Sequence, residues 1–302
     1  MSLIEYTLEG KQDKVKTVIE RIKSLEPISK GLMDTPYFVA YSGGKDSDAL
    51  RILFELSGVP FDLVHNHTTV DAPETVRYVR SIPGIQIQYP ELSMWALIVK
   101  KLMPPTRMMR YCCSEMKENS GRDRFVATGV RWAESMRRKN SRSSLEITGA
   151  NAKDKIILNA DNAENRRMFE LCAIQGKRIL NPIIDWSDAE VWEFLHHYGC
   201  SSNPLYECGY KRVGCVGCPM TRAKERIRQF SHYPKYQENY IRTFDRMLKR
   251  RAELGRDSNT WRTGQDVFDW WLKDPEKKHE SYGLQMTIAD FFEEEEYNAP
   301  RV

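Results

Sequence analysis

Apolar and polar positions follow two periods along the chain. Val15, Val18, Ile19, Ile22 and Leu25 recur at helical spacing and predict an amphipathic helix over 11–25. The run Tyr37–Tyr41 is short, aromatic and β-branched, with turn glycines directly behind it, which marks a buried strand. Ala49, Leu50, Ile52, Leu53 and Leu56 then return to the helical period, and Gly58 ends it. The same reasoning predicts strands at 61–67, 85–89 and 125–130, with helices at 73–82 and 94–102. Ser187 and Glu190 form a capping pair ahead of a helix over 188–198, and Gly199 lies just past its end. Alternation of strands and helices predicts an α/β fold, an open, mostly parallel, twisted sheet flanked by helices. Three stretches follow: an N-terminal helical segment (1–30), a sheet domain (31–220) and a basic, mainly helical region (221–302).

Composition narrows the functional classes. Lys and Arg number 46 against 42 Asp and Glu, a net +4, and 41% of residues are hydrophobic. So small a charge with so much apolar side chain excludes disorder over most of the length. No run reaches the ~18 apolar residues of a membrane helix, and the charged start lacks the apolar core of a signal peptide. The expected setting is the cytoplasm, away from membranes. Residues 222–256 hold eleven Lys/Arg against four Asp/Glu, and Arg137–Arg142 is a second basic stretch. Either a nucleic-acid backbone or a solvated helical face accounts for them. Trp261, Trp270 and Trp271 read as core before they read as a base-stacking platform, and Glu293–Glu296 as a solvated end.

The most specific motif is Ser42-Gly43-Gly44-Lys45-Asp46-Ser47, between a strand and a helix. The two glycines let the backbone turn tightly and present successive N–H groups to an anion. The positive end of the helix dipole behind them suits a pyrophosphate. Ser42 and Ser47 add hydroxyl donors, Lys45 a charge on the phosphates, and Asp46 either a cap or a Mg²⁺ ligand. This differs from the Gly-x-x-x-x-Gly-Lys-Ser/Thr loop of nucleotide-hydrolysing enzymes.

The seven cysteines are too few for a disulfide scaffold. Cys112 and Cys113 are adjacent, while Cys200, Cys208, Cys215 and Cys218 crowd together and Cys172 stands apart. In a reducing compartment such clusters read as metal or catalytic thiols.

The turn looks like the PP-loop of the adenine-nucleotide α-hydrolase superfamily. Over roughly residues 35–220 the chain resembles its phosphoadenosine-phosphosulfate (PAPS) reductase family. Thr69–Glu74, Gly129-Val-Arg131-Trp-Ala-Glu-Ser135, Asn181–Trp186 and Asn203–Tyr206 with Gly209-Tyr210 are similar, in order, to further family blocks. The resemblance implies a nucleotide site of Ser42, Gly43, Gly44, Lys45, Asp46, Ser47, Asp71, Gly129 and Arg131. Asp71 would face ribose or a metal, and Arg131 phosphate or sulfate oxygens; Lys45, Asp46, Asp71 and Arg131 would carry the chemistry. Cys112-Cys113 with Cys215-Val-Gly-Cys218 resembles the thiolate set of iron–sulfur adenylylsulfate (APS) reductases, which bind a 4Fe–4S cluster. Tetrahedral zinc is the alternative metal, and Cys208 the alternative ligand.

Two enzyme chemistries fit this resemblance. One is an ATP pyrophosphatase that adenylylates a substrate and assists sulfur transfer, with Mg²⁺, a nucleic-acid acceptor and a sulfur-donor protein. The other is a sulfonucleotide reductase that releases sulfite and draws on a thioredoxin-like reductant. Family reductases place the nucleophilic thiol in a C-terminal Glu-Cys-Gly-Leu-His tail. Here no cysteine follows Cys218, and Glu207-Cys208-Gly209 sits inside another block, so the first chemistry is preferred. A nucleotide-binding redox sensor without turnover is the non-enzymatic reading, and a homodimer is a possible assembly.

Overall fold

The computed structural model describes residues 3–7, 10–118, 120–121, 124–149, 155–158, 176–256 and 260–273. Cys172 and Glu293–Glu296 lie outside them. A hairpin of β1 (Ile4–Thr7) and β2 (Gly10–Asp13) opens the chain. It occupies the start of what the sequence reads as helix, and α1 runs over Lys14–Met33. Asp13 sets that start, its Oδ1 accepting from the Val15 and Lys16 N–H groups at 2.9 and 3.2 Å.

The predicted strands and helices then appear in order: β3 (Tyr37–Ala40), α2 (Lys45–Ser57), β4 (Phe61–Asn66), α3 (Pro73–Arg80), β5 (Gln86–Gln88) and α4 (Met94–Lys101). A short α5 (Tyr111–Cys113) continues as a wider π turn over Ser114–Glu118. Beyond it come β6 (Phe125–Ala127), α6 (Met136–Ser141), β7 (Leu145–Gly149), β8 (Lys155–Leu158) and β9 (Gly176–Leu180). Four helices complete the described chain: α7 (Asp188–His197), α8 (Ala223–His232), α9 (Pro234–Glu253) and α10 (Gly264–Leu272). None of the described helices is long and apolar enough to cross a membrane.

Seven strands form one open sheet in the order β5-β4-β3-β6-β9-β7-β8. The first five are parallel, and β7 runs antiparallel to both β9 and β8. The chain leaves β3 toward β4 on one side and returns to β6 on the other. Ligands of open α/β sheets bind at the carboxyl ends of strands beside such a reversal. The turn 42–44 hangs from the end of β3, at that point.

Both faces of the sheet are covered, so β3 reads as a continuous apolar run rather than an alternation. Tyr37 and Val39 join one core with Val18, Ile22 and Leu25 of α1, Leu50, Leu53 and Phe54 of α2, and Trp186 and Phe194. Phe38 faces the other way, with Val64 and Val126. A second core joins α4 to α8, α9 and α10 through Met94, Ile98, Phe230, Tyr240, Phe244, Phe268 and Trp271, and takes in Val70 and Val216. Trp271 is buried in it, its indole donating to Pro105 O at 2.6 Å, while Trp270 is 40% exposed.

Phe54 is fully buried, its ring 5.2 Å from Tyr37 and 5.4 Å from Phe61. Phe54→Ala is expected to cost about 3–5 kcal/mol of folding stability in denaturant titrations.

Candidate functional site

The turn at the end of β3 is wired from several elements. Gly43 has φ +75°, and a Cβ there would lie 2.9 Å from the Val79 side chain. A side chain is therefore excluded twice over, by backbone strain and by contact with α3. Ser47 accepts from the Gly44 N–H at 3.1 Å and donates to Gly44 O at 2.7 Å, while Ser42 Oγ lies 3.3 Å from Ser47 Oγ. Asn203 donates to Gly43 O at 2.9 Å and to Thr75 Oγ1 at 3.1 Å, tying the turn to α3. The Lys45 N–H donates to the Tyr206 hydroxyl at 3.0 Å. The block Asn203–Tyr206 thus bonds to the backbone of the turn and of the first residue of α2.

Charge at the start of α2 closes into an alternating network. Lys45 Nζ stands 2.9 Å from Asp46 Oδ1 and 3.0 Å from Asp188 Oδ1. Arg131 Nε donates to the same Asp46 oxygen at 2.7 Å, and its other nitrogens bond Asp188 and Trp186 O. Arg131 is 1% exposed, so its guanidinium is spent on these partners rather than turned to solvent. Burial works against the Asp188 charge, but hydrogen bonds from Lys45 and Arg131 hold its carboxyl below the usual range. Gly129 lies against the Asp46 backbone, where a Cβ would meet Asp46 O at 2.9 Å. Sequence reasoning missed Asp188; its place in the first turn of a capped helix was visible, its ion partners were not.

Asp48, fully buried behind the turn, accepts from the Tyr41 hydroxyl at 2.5 Å. Burial, only partly offset by that bond, pushes its carboxyl up to about 6.

Asp71 and the thiols meet on the neighbouring loop. Asp71 pairs with Cys215 in an antiparallel backbone bridge, and the Val216 N–H donates to Val70 O at 2.8 Å. The Asp71 carboxylate caps the Thr68 N–H at 2.7 Å, and Cys215 Sγ lies 3.3 Å from Thr68 Oγ1. Cys112, Cys113, Cys215 and Cys218 converge from α5 and from this loop. Cys112 interacts electrostatically with the other three. A hydrogen bond with Cys113 and burial push the Cys112 thiol up, whereas that bond and then the Arg110 guanidinium draw Cys113 down. Burial raises Cys215. Among the described residues no three Cys, His, Asp or Glu side chains are already closed around a metal-sized point.

Lys117, one turn past Cys113, was not singled out from the sequence. Its ammonium is favoured first by Cys215 and also by Asp71, Cys113 and Cys218, against the cost of burial. Cys208 is exposed on a turn held by Arg228, which donates to its carbonyl at 2.7 Å. Its electrostatic neighbours include Tyr210 and Tyr233. Cys200 lies 4.0 Å from the Tyr78 hydroxyl.

Comparison with known proteins places this arrangement. Residues 36–221 match the family described as phosphoadenosine phosphosulfate reductase domain. The chain belongs to the PAPS reductase family. An uncharacterised protein of Methanocaldococcus jannaschii is 26% identical over 82% of this chain and 46% of its own length. The adenosine 5′-phosphosulfate reductase of Allochromatium vinosum is 35% identical over 31% of this chain and 34% of its own. The chain therefore spans less than half the length of either relative. The PAPS reductase of Candida auris, solved as a phosphate complex, overlaps 70% of this chain and 97% of its own. That overlap has a TM-score of 0.39 and 16% identity.

Two outcomes are expected from this geometry. Between about pH 4 and 6 the folded state binds the Asp48 proton more tightly than the unfolded chain, so stability falls as pH rises. Asp48→Asn removes that fall, and urea titrations should show the variant gaining about 2–3 kcal/mol on wild type between pH 4 and pH 7. Gly217, inside Cys215–Cys218, has φ +75°, and a Cβ there would meet the Phe230 ring at 2.6 Å. Gly217→Ala should destabilise by about 1–3 kcal/mol in thermal melts.

Proposed function

We propose that this chain is an adenine-nucleotide enzyme acting at the α-phosphate of ATP, in which adenylylation of an acceptor precedes sulfur transfer. The observation that carries this reading is the turn 42–44 at the sheet reversal, at the end of β3, whose neighbour β4 leads into the loop that Asp71 bridges to Cys215. A β,γ-pyrophosphate seated on the turn faces the N-terminus of α2 and the ammonium of Lys45. An acceptor oxygen attacks the α-phosphorus, the bond to the β-phosphate oxygen breaks, and pyrophosphate leaves with its charge stabilised by the turn. Lys45 swings from Asp46 and Asp188 to the phosphates. Arg131 acts beneath the site, holding both carboxylates in place. Asp71 orients the ribose, and Gly129 keeps space beside Asp46.

Asp46 and Asp188 would supply oxygen donors for Mg²⁺, which when bound would neutralise phosphate charge. Cys112, Cys113, Cys215 and Cys218 match a 4Fe–4S cluster in donor type and would hold it, zinc being the alternative; a cluster would supply a sulfur- or electron-carrying centre. The exposed basic residues of 137–142 and 222–256 suit a nucleic-acid acceptor.

A second reading, sulfonucleotide reduction to sulfite, is favoured by family membership. It requires a nucleophilic thiol, and Cys208 is the exposed candidate. The Cys208 N–H donates to Pro204 O and its carbonyl accepts from Arg228, so it sits on a pinned turn rather than a mobile segment. This weighs toward adenylylation.

Anaerobic assays separate the two. Pyrophosphate release from ATP, reduced about 100-fold or more in Lys45→Ala, is the expected result. Sulfite formed from APS or PAPS and abolished in Cys208→Ser would establish the reductase instead. Iron and sulfide counts should fall together when Cys112, Cys113, Cys215 or Cys218 is changed to Ser; zinc without iron would replace the cluster.

A further inference from the structure

Three guanidiniums gather beside the phosphate turn without joining the charge network at the start of α2. Arg138 lies on α6 and Arg142 closes that helix, the Arg142 N–H donating to Arg138 O at 2.9 Å. Arg212 comes from another part of the chain, the segment 211–214 that leads into Cys215. Burial, and then the like charges of Arg212 and Arg142, hold the Arg138 guanidinium below the usual arginine value against the pull of Glu134.

The carboxylates nearby are already committed. Glu134 pairs with Arg138 and accepts from the Arg131 N–H at 3.1 Å. Glu146, fully buried, lies 3.1 Å from Arg142 Nε and accepts from the Ser143 N–H and from Asn181. Arg212 is exposed and has no ion pair among the described residues. Three arginines against two carboxylates leave one positive charge, and it sits on Arg212. A phosphate has oxygens enough to take donors from more than one of these guanidiniums at once.

The cluster stands between the turn and the thiols. A Cβ at Gly44 would lie 3.8 Å from the Val213 side chain, so the residue after Arg212 packs on the turn. Arg212 also acts on Tyr206, whose hydroxyl accepts from the Lys45 N–H. On the other side Cys215 is three residues along, at most about 11 Å between Cα atoms. Trp192, half-buried with its ring 5.0 Å from that of Tyr206, adds an aromatic surface there. Exposed cations bordered by aromatic rings are what a single nucleic-acid strand requires.

We propose that Arg138, Arg142 and Arg212 form a second phosphate site, which holds the backbone of a single-stranded nucleic-acid acceptor beside the phosphate turn and the thiol loop. The inference rests on the adenylylation reading and deepens it, placing the grip on the acceptor at the turn rather than along α8 and α9.

Fluorescence anisotropy on the full chain, purified anaerobically, tests it with labelled single-stranded RNA and DNA of mixed sequence as probes. Wild type should bind at least one of them, with an affinity that falls as salt rises. Arg212→Gln removes the uncompensated charge and should lower the slope of log affinity against log salt by about 0.7. Arg212→Lys should restore it. Arg138→Lys keeps the charge but loses the planar fork, and should weaken binding about tenfold at an unchanged slope. No binding of either strand by wild type, or a slope unmoved in Arg212→Gln, overturns the proposal. So does an equal fall in slope in Arg242→Gln on α9, the mark of diffuse attraction. Binding at full strength in Arg138→Lys overturns the shared site. A mononucleotide with an extra phosphate is the other source of such an anion. Adenosine 3′,5′-bisphosphate binding lost in Arg212→Gln, with the strands unaffected, overturns the acceptor assignment. Failure of wild type to bind a nonhydrolysable ATP analogue overturns the adenylylation reading instead, and the slopes still decide the phosphate site.

Discussion

The site depends on the antiparallel bridge between Asp71 and Cys215, with its hydrogen bond from the Val216 N–H to Val70 O. It ties Cys215 to the loop that follows β4, the strand paired in parallel with β3, which itself leads into the turn 42–44. The second core buries the underside of this bridge. Val70 and Val216 are both within 1% of fully buried, and Tyr240 donates to Val216 O at 3.1 Å. The helical C-terminal region thus has a specific task, since α8, α9 and α10 form the floor on which the thiol loop rests.

The second constraint is charge. Arg131 is nearly inaccessible and bonded to two carboxylates and a carbonyl, of which Asp46 is largely covered and Asp188 largely exposed. Lys45 joins the same carboxylates from the start of α2, beside the turn.

Much of this was legible before any coordinates, and the failures have physical causes. The turn was readable because strand, glycines, lysine and helix follow one another without a gap. The helix at 188–197 was readable because Ser187 and Glu190 are local capping signals, and each makes its expected bond. Strand β7 was missed because Glu146 interrupts its apolar positions. That carboxylate is fully buried, accepting from the Ser143 N–H and from Asn181, which no hydrophobic pattern announces. The N-terminal hairpin was absorbed into the predicted helix because its residues are as polar as the helix they precede. Asp188 and Lys117 escaped notice for a shared reason: Lys45 and Arg131 lie dozens of residues from Asp188, as Cys215 does from Lys117, and only the fold brings them within reach.

The central claim is that phosphate turn and thiols form one site. An anaerobic crystal structure with a nonhydrolysable ATP analogue, recorded also at the iron absorption edge, tests it most directly. The account predicts phosphate density against Gly43, Gly44 and Lys45 and an anomalous peak among Cys112, Cys113, Cys215 and Cys218 on the same sheet edge. An analogue bound elsewhere, or a metal held away from those four sulfurs, would contradict it.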